Sequence, residues 1–305
     1  MTRARAKSPL RVVGAAAALA LVLSSGCGRP ESEREPEGSP AKPPLFVRAK
    51  DFDRNAFDRS TAITNQWLPM RPGTQFIYEG EAFEEDGEPI HRRVIFTVTD
   101  LTKVVNGIRT VVVWDRDYDD EELVEGEIAF YAQDNNGAVW LLGEYPEEYE
   151  GTEFVGAPAW VAGAEGAKAG VMMQPQPRVG TPAYQQGLAP EVEFADRARV
   201  EKVGQRTCVP VKCYSNALVT REWDSNEPGV FQFKYYAPHV GNVRVGFGGD
   251  DPERETLQLV EVIQLDSFGL EDAREEARRL DRRAFRVSKA YSQTAPIEGP
   301  GTQNP

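Results

Sequence analysis

The chain has few of the side chains that most often carry out chemistry in proteins. It contains two histidines and three cysteines among 305 residues. A zinc site needs three or four ligands, usually His or Cys, so the sequence is poorly supplied for one. It also lacks a Gly-x-Ser-x-Gly elbow, a phosphate-binding glycine loop and a dinucleotide fingerprint. The sequence therefore predicts no catalytic residue and no cofactor.

Basic residues are also scarce relative to acidic ones. There are 35 Lys and Arg against 48 Asp and Glu, which gives a formal net charge of −13. Phosphate contacts need clustered Lys and Arg, so this balance argues against a nucleic-acid partner. It argues equally against broad electrostatic adhesion to anionic lipid.

The N-terminus combines a basic segment with a short apolar run. Four basic residues precede the apolar stretch 12–23, which is too short to span a bilayer comfortably. Small residues then lead to Cys27, as in bacterial lipoprotein signals, although Ser24 stands where such signals usually have leucine. We expect residues 1–26 to be a lipoprotein-type signal peptide and Cys27 to be the site of lipid attachment. An ordinary secretory signal is the alternative.

The segment that follows, residues 27–45, is rich in proline and charge. Such a composition cannot bury enough surface to fold, so we expect a lipid-anchored, disordered tether. The predicted location is extracytoplasmic, as a cell-envelope lipoprotein that contacts the membrane through its lipid, with a secreted soluble protein as the alternative. In an exported protein, Cys208 and Cys213 are predicted to form a structural disulfide.

Most of the chain reads as β-strands. Runs of alternating apolar residues, separated by turn signals such as Asn106-Gly107, predict antiparallel meanders over residues 74–144 and 191–265. Phe231 and Phe233 alternate with Gln232 and Lys234, the pattern of a one-sided strand. We expect one mainly β domain over residues 46–268, arranged as a large curved sheet, an open barrel or a sandwich.

The C-terminal part carries helical periodicity. Ala273, Ala277, Leu280 and Ala284 follow a three-four spacing, which predicts one helix over residues 269–293. It packs across the sheet or, as a sharper hypothesis, binds a protein partner. Residues 294–305 are expected to form a disordered tail.

The segment 150–190 is long, poor in periodicity and rich in Gly, Ala and Pro. Loops of this length inside a domain are usually functional or disordered, and the embedded aromatic residues argue against disorder. We interpret it as an ordered excursion that forms either a lid over a cavity or a structural crossover. The candidate ligand-binding residues are large side chains whose alternative role is core packing: Trp114, Trp140, Trp160, Met172, Tyr184 and Trp223.

Acidic side chains suggest two further kinds of site. Asp115, Asp117 and Asp119 alternate along one predicted strand, so their carboxylates share a face and are a weak candidate for Ca²⁺ binding. A solvated acidic hairpin is the commoner explanation. Because carboxylates are plentiful, a hydrolase that uses paired acids is an alternative function.

Several segments resemble an uncharacterised family of secreted bacterial proteins and lipoproteins. Residues 65–80 are similar to its N-x-W-x-P-x-x-P-G-T-x-F-x-Y-E-G motif, and residues 163–173 to its G-x-x-G-A-K-P-G-I-x-M segment. Lys234 to Pro238 reproduce its K-Y-Y-A-P strand, after which His239 replaces a glycine. The resemblance covers most of residues 60–265 and implies a secreted all-β domain, without catalytic residues to carry over.

These observations favour a membrane-tethered extracytoplasmic lipoprotein that is not an enzyme. It would act as a binding module for a small apolar or amphipathic ligand, or as a structural module of the envelope with a protein partner. The alternatives are the carboxylate-pair hydrolase and a protein-interaction module that acts through the C-terminal helix.

Overall fold

The computed structural model describes residues 46–84 and 87–300. The predicted signal peptide and the whole of the predicted tether, with Cys27, lie outside the described residues. Within them, fifteen strands form one antiparallel sheet. The strands are β1 (Thr74–Phe83), β2 (Pro89–Val105), β3 (Ile108–Asp119), β4 (Glu122–Gln133), β5 (Val139–Glu150), β6 (Glu153–Gly156), β7 (Trp160–Val161), β8 (Lys168–Met173), β9 (Tyr184–Gln185), β10 (Gly187–Leu188), β11 (Asp196–Cys208), β12 (Cys213–Asp224), β13 (Val230–Ala237), β14 (Gly241–Gly249) and β15 (Thr256–Gln264).

The sheet curls into a nearly closed barrel. Its strand order is β10-β8-β5-β4-β3-β2-β1-β15-β14-β13-β12-β11-β9, with β6 and β7 paired to β5. β1 pairs with β15 and joins the two meanders, while the two end strands, β9 and β10, are separated by one residue in sequence. The mainly β fold class is confirmed, and among the architectures considered the open barrel describes it best.

Tight turns set the register of the first meander. Asn106 and Gly107 both have positive φ, 52° and 79°, the conformation that a type I′ hairpin requires. Val105 therefore pairs with Ile108 across the turn. This is the hairpin that the sequence predicts.

The strand β13 shows that the barrel interior is partly polar. The side chains of Gln232 and Lys234 line an internal cavity, while Phe231 lies on the opposite face. There the guanidinium of Arg221 lies 3.5 Å from the centre of the Phe231 ring. A one-sided strand is present, as its alternation predicts, with its polar side facing inward.

The 150–190 segment is less irregular than its composition predicts. It contains β6 to β10, which add short strands to the sheet beside β5 and β11. Gly170 allows close approach of the chain, because a Cβ there would lie 2.0 Å from the carbonyl carbon of Gln186. The segment therefore helps to bring the ends of the sheet together.

One α-helix, α1 (Ser267–Val287), packs on the outer face of β2 to β5. Asp266 caps it by accepting hydrogen bonds from the backbone N–H groups of Phe268 and Gly269. The apolar stripe of Ala273, Ala277, Leu280 and Ala284 is buried, so the protein's own sheet covers it. The helix begins and ends earlier than residues 269–293, and a short 3₁₀ turn follows at Tyr291–Gln293.

A fully buried lysine lies beneath this helix. The Nζ atom of Lys103 donates to Asp281 at 3.0 Å and to the carbonyl oxygen of Ala295 at 2.5 Å. The hydroxyl of Tyr291 donates to the same carboxylate at 2.6 Å, and Lys103 Nζ lies 4.1 Å from the centre of the Tyr291 ring. This network ties the helix and the chain after it to β2.

The first residues of the predicted tail, up to residue 300, contact the barrel, and residues 301–305 lie outside the described part of the chain. Thr102 of β2 and Glu298 form an antiparallel bridge, and Arg109 forms an ion pair with Glu298 at 3.0 Å. This pairing satisfies the backbone N–H and C=O groups of both segments. Among the described residues, no helix is both long enough and apolar enough to cross a membrane.

Candidate functional site

The barrel encloses a half-open cavity of about 250 Å³ between the two meanders. This volume is slightly below the usual range for small-molecule pockets, roughly 300–1,000 Å³, so it suits a small ligand. One wall is apolar and the other is charged, because neighbouring strands present different inward side chains. The apolar wall includes Met70, Phe76, Tyr78, Phe96, Met172, Val245 and Leu257, and the polar wall includes Asp115, Asp117, Gln232, Lys234 and Glu255.

Strand register builds the apolar wall. Phe76 of β1 lies opposite Phe96 of β2, with their ring centres 6.3 Å apart in an edge-to-face arrangement. Tyr131 of β4 adds a third ring, 6.5 Å from that of Phe96. Aromatic contacts of this kind fix side-chain positions beyond what burial alone does, so the wall is preformed.

The acidic part of the polar wall, called the acidic wall below, arises where β3 and β4 pair. Asp115 lies opposite Glu127, and Asp117 lies opposite Glu125. Side chains directly opposite each other in an antiparallel pair have Cβ atoms about 4.5–5.5 Å apart, and like charges there are destabilising. The register therefore places four carboxyl groups on one small area of the inner face.

Three of these carboxyl groups, those of Asp115, Asp117 and Glu127, have raised pKa values. Burial, with repulsion from Asp117, raises the pKa of Asp115 to about 7. Burial and repulsion from Glu125 raise the pKa of Asp117 to about 7 as well. The pKa of Glu127 is raised well above its ordinary value by burial and by Glu144. Near neutral pH, Asp115 and Asp117 are therefore each partly protonated.

Two basic residues on the inner face are already engaged. Arg92 lies 2.8 Å from Asp119 and 3.3 Å from Glu255, and Lys234 lies 3.1 Å from Glu222. The attraction of Glu222 raises the pKa of Lys234. Both cations are therefore charged at neutral pH and have acidic partners of their own.

The acidic surface continues into a second recess at the end of the barrel. This recess also measures about 250 Å³ and includes Glu125, Glu127, Glu144 and Asp224. Glu144 accepts a hydrogen bond from the indole N–H of Trp160 at 2.8 Å. Burial nevertheless raises the pKa of Glu144 to about 7, so the same low-dielectric acidic environment extends across β4 to β5.

Of the six candidate ligand-binding residues, Met172 lies in the wall of the larger cavity. Trp140 packs against Phe52 and Phe57, and Trp160 stacks on Phe194 with ring centres 5.1 Å apart. Large aromatic side chains fill cores because they bury the most surface, and a sequence pattern does not separate that role from ligand contact. The remaining three lie outside this cavity's lining: Trp114, Tyr184 and Trp223.

The three aspartates of the calcium hypothesis share one face of β3, but they do not form a metal site. Asp119 is paired with Arg92, and neighbouring acids are separated along an extended strand instead of converging from a loop. In residues 46–84 and 87–300, no group of three or more His, Cys, Asp or Glu side chains is placed to hold a metal ion. The acidic face points into the barrel, which a solvated hairpin does not explain either.

Cys208 and Cys213 form the predicted disulfide, which closes the β11–β12 hairpin. Their Cα atoms are 3.9 Å apart, and the pair lies outside both cavities. Neither cysteine faces the acidic wall, so the bridge is a feature of the hairpin and not of the site.

Sequence reasoning singled out two acids that line the cavity, Asp115 and Asp117, as calcium candidates, but it missed the other residues that give the inner face its charge. Lys234 and Gln232 were interpreted only as the polar half of a one-sided strand, and Glu127 alternates with Ile128 and Phe130 in the same way. The available signal was an excess of acids at alternate positions on two paired strands. The strand pattern alone does not reveal which face of each strand turns inward.

Comparisons with known proteins give limited matches. No protein-family model matches the chain, and no curated protein is significantly similar to it. A solved structure from Bacteroides fragilis, described as an exported protein with a YmcC-like fold, matches at 10% identity and a TM-score of 0.34, covering 66% of this chain and 100% of that chain. A second, from Parabacteroides distasonis and described as a lipoprotein, matches at 10% identity and a TM-score of 0.38, covering 65% and 99%. Similarity this low establishes neither a shared architecture nor a shared activity.

Proposed function

We propose that this protein is an extracytoplasmic lipoprotein that binds a small amphipathic molecule inside its barrel. The observation that carries the proposal is a single cavity with one aromatic wall and one charged wall. Ligand pockets are typically apolar with a few convergent polar groups that set orientation. The cavity has this composition, and most of its wall residues lie on paired strands, with Met70 added from the segment before β1.

The proposed location is supported by the N-terminal sequence. A basic segment, a short apolar run and small residues before Cys27 are the features of an exported, lipid-modified protein. A lipid at Cys27 and the hydrophilic segment after it would hold the barrel near a membrane surface. The acidic composition keeps the folded part from adhering to anionic lipid.

The binding proposal is tested by fluorescence titration with the neutral apolar fluorophore N-phenyl-1-naphthylamine. Val245 is 5% exposed and lies in the cavity wall, so Val245→Trp fills the space. Val203 is 45% exposed on β11, away from the cavity, and Val203→Trp is the matched control. We expect saturable binding by the wild-type protein and the control, and its loss in Val245→Trp. Absence of saturable binding, or equal binding by Val245→Trp, would contradict the proposal.

A carboxylate-pair hydrolase is a second candidate, and one observation favours it. Asp115 and Glu127 face each other across two strands, and the pKa values of both are raised, as for acids that share a proton during catalysis. The test is hydrolysis of p-nitrophenyl glycosides and esters by the wild-type protein, Asp115→Asn and Glu79→Gln. Glu79 is an exposed acid of β1, so an enzyme would lose turnover in Asp115→Asn only. Without wild-type turnover, or with turnover that survives Asp115→Asn, this candidate is rejected.

A further inference from the structure

The acidic wall of the cavity contains more carboxyl groups than its own cations engage. Arg92 and Lys234 pair with Asp119, Glu255 and Glu222. Within the described parts of the chain, no ion pair joins Asp115, Asp117 or Glu127 to a basic side chain. Carboxylates in a partly buried wall are costly unless a cation or a proton compensates them.

A second polar group without a partner lies on the same inner face. Tyr184 is 2% exposed, and among the described residues its hydroxyl has no hydrogen-bond partner. Register places it there, because Tyr184 is opposite Ala198, Ala198 is opposite Glu222, and Glu222 is opposite the cavity residue Gln232. Buried polar atoms normally have a partner, so the inner face of the barrel has an unsatisfied polar group next to the cavity as well as unpaired carboxyl groups within it.

The apolar wall restricts which kind of cation could compensate the unpaired carboxyl groups. Phe76, Phe96 and Val245 line the same cavity as Asp115 and Asp117. A hydrated metal ion would leave these rings exposed to water, whereas a molecule with an apolar body would cover them. The two walls together describe one ligand with two chemically different ends.

We propose that the cavity selects a small amphipathic amine, with its ammonium group at Asp115 and Asp117 and its apolar body against Phe76, Phe96 and Val245. This inference rests on the proposed binding function and adds the charge of the ligand to it. Ammonium–carboxylate hydrogen bonds are among the stronger polar contacts in proteins. Repulsion between paired carboxylates is relieved when the cation binds.

Binding is expected to be coupled to proton release. A nearby cation favours the ionised form of a carboxyl group, and the pKa values of Asp115 and Asp117 are about 7 in the protein alone. Affinity for an alkylammonium ion should therefore rise between pH 6 and pH 8. The charged or titratable groups that act on this wall from the neighbouring strands and loops are Tyr78, Arg92, Arg116, Asp119, Glu125, Glu127, Tyr131, Glu144, Asp196, Glu222, Lys234, Tyr236, Glu253 and Glu255.

The test is isothermal titration calorimetry at pH 8 on the full-length mature protein with three probes of equal chain length. These are octylammonium, 1-octanol and octanoate. We expect octylammonium to bind about tenfold or more tightly than octanol, the difference that one charge-assisted contact supplies, and octanoate to bind most weakly. The double variant Asp115→Asn, Asp117→Asn should lose this preference and keep its affinity for octanol. Glu79→Gln, at an exposed position of β1, should behave as wild type.

The outcomes separate this inference from the function on which it rests. Equal affinities for octylammonium and octanol would overturn the amine inference and leave a cavity that binds apolar molecules. The amine inference would also be overturned if octylammonium did not bind to a protein that binds the neutral fluorophore. If neither the octyl probes nor the fluorophore binds, the proposed function itself fails.

Discussion

At the scale of single residues, the carboxyl groups of β3 control how the protein responds to pH. Asp115 has a folded-state pKa of about 7, raised mainly by burial. An acid whose pKa is higher in the folded than in the unfolded state weakens folding once it ionises. Its destabilising effect is absent below about pH 4, grows between pH 4 and 7, and is complete above pH 7.

Asp115→Asn should therefore stabilise the protein at pH 8 and change it little at pH 4. We expect a gain on the order of 1–2 kcal/mol at pH 8, which is less than the full shift implies because the cavity admits water. Urea unfolding at both pH values measures it, with Glu79→Gln as the control at an exposed position. A loss of stability in Asp115→Asn at pH 8 would mean that its carboxylate is compensated in the folded state.

At the scale of elements, the helix α1 depends on a buried charge. Lys103 is fully buried, and burial lowers its pKa although Asp281 opposes this shift. Removing one partner of a buried ion pair typically costs about 3–5 kcal/mol, because the other charge is left uncompensated. The hydroxyl of Tyr291 adds a neutral donor to the same carboxylate.

We expect Asp281→Ala to lower the free energy of unfolding by about 3–5 kcal/mol and Tyr291→Phe by about 1 kcal/mol. Asp272→Ala, at an exposed position of the same helix, should change it by less than about 0.5 kcal/mol. Denaturant titration followed by circular dichroism measures all three. If Asp281→Ala lowers the free energy of unfolding no more than Asp272→Ala does, the Lys103–Asp281–Tyr291 network does not hold the helix in place.

The β11–β12 hairpin is a second element with a measurable contribution. The Cys208–Cys213 disulfide closes a loop of only four intervening residues, and short loops gain little from crosslinking. Reduction should lower the free energy of unfolding by about 2 kcal/mol at most and leave the fold intact. Unfolding curves with and without a reducing agent measure the difference, and complete unfolding on reduction would show that the bridge is essential.

At the scale of the whole molecule, several buried acids all make the folded state less stable as pH rises. The pKa values of Asp115, Asp117, Glu144 and Asp196 are all raised to about 7. The folded protein then binds more protons than the unfolded chain between about pH 4 and 7, so its stability should increase as pH falls from 8 to 6. Thermal unfolding across this range tests the account, and a melting temperature that is flat or rises with pH would contradict it.

The sequence predicts the strands and the helix better than it predicts the inside of the barrel. Alternation identifies β13 and the Asn106-Gly107 turn fixes a hairpin, because both are local signals. Whether Phe231 or Lys234 faces inward depends on how β13 curves against β12 and β14, which is a non-local property. Alternation places Asp115 and Asp117 on one face of their strand, but that Asp115 lies opposite Glu127 follows only from strand register.

The central claim is that the cavity holds a small molecule in the living cell, and native mass spectrometry of the protein from its own envelope fraction tests it most directly. We predict a reproducible added mass on the wild-type protein that disappears on denaturation and is absent from Val245→Trp. A wild-type protein that carries no added mass, or an adduct that Val245→Trp retains, would contradict the account.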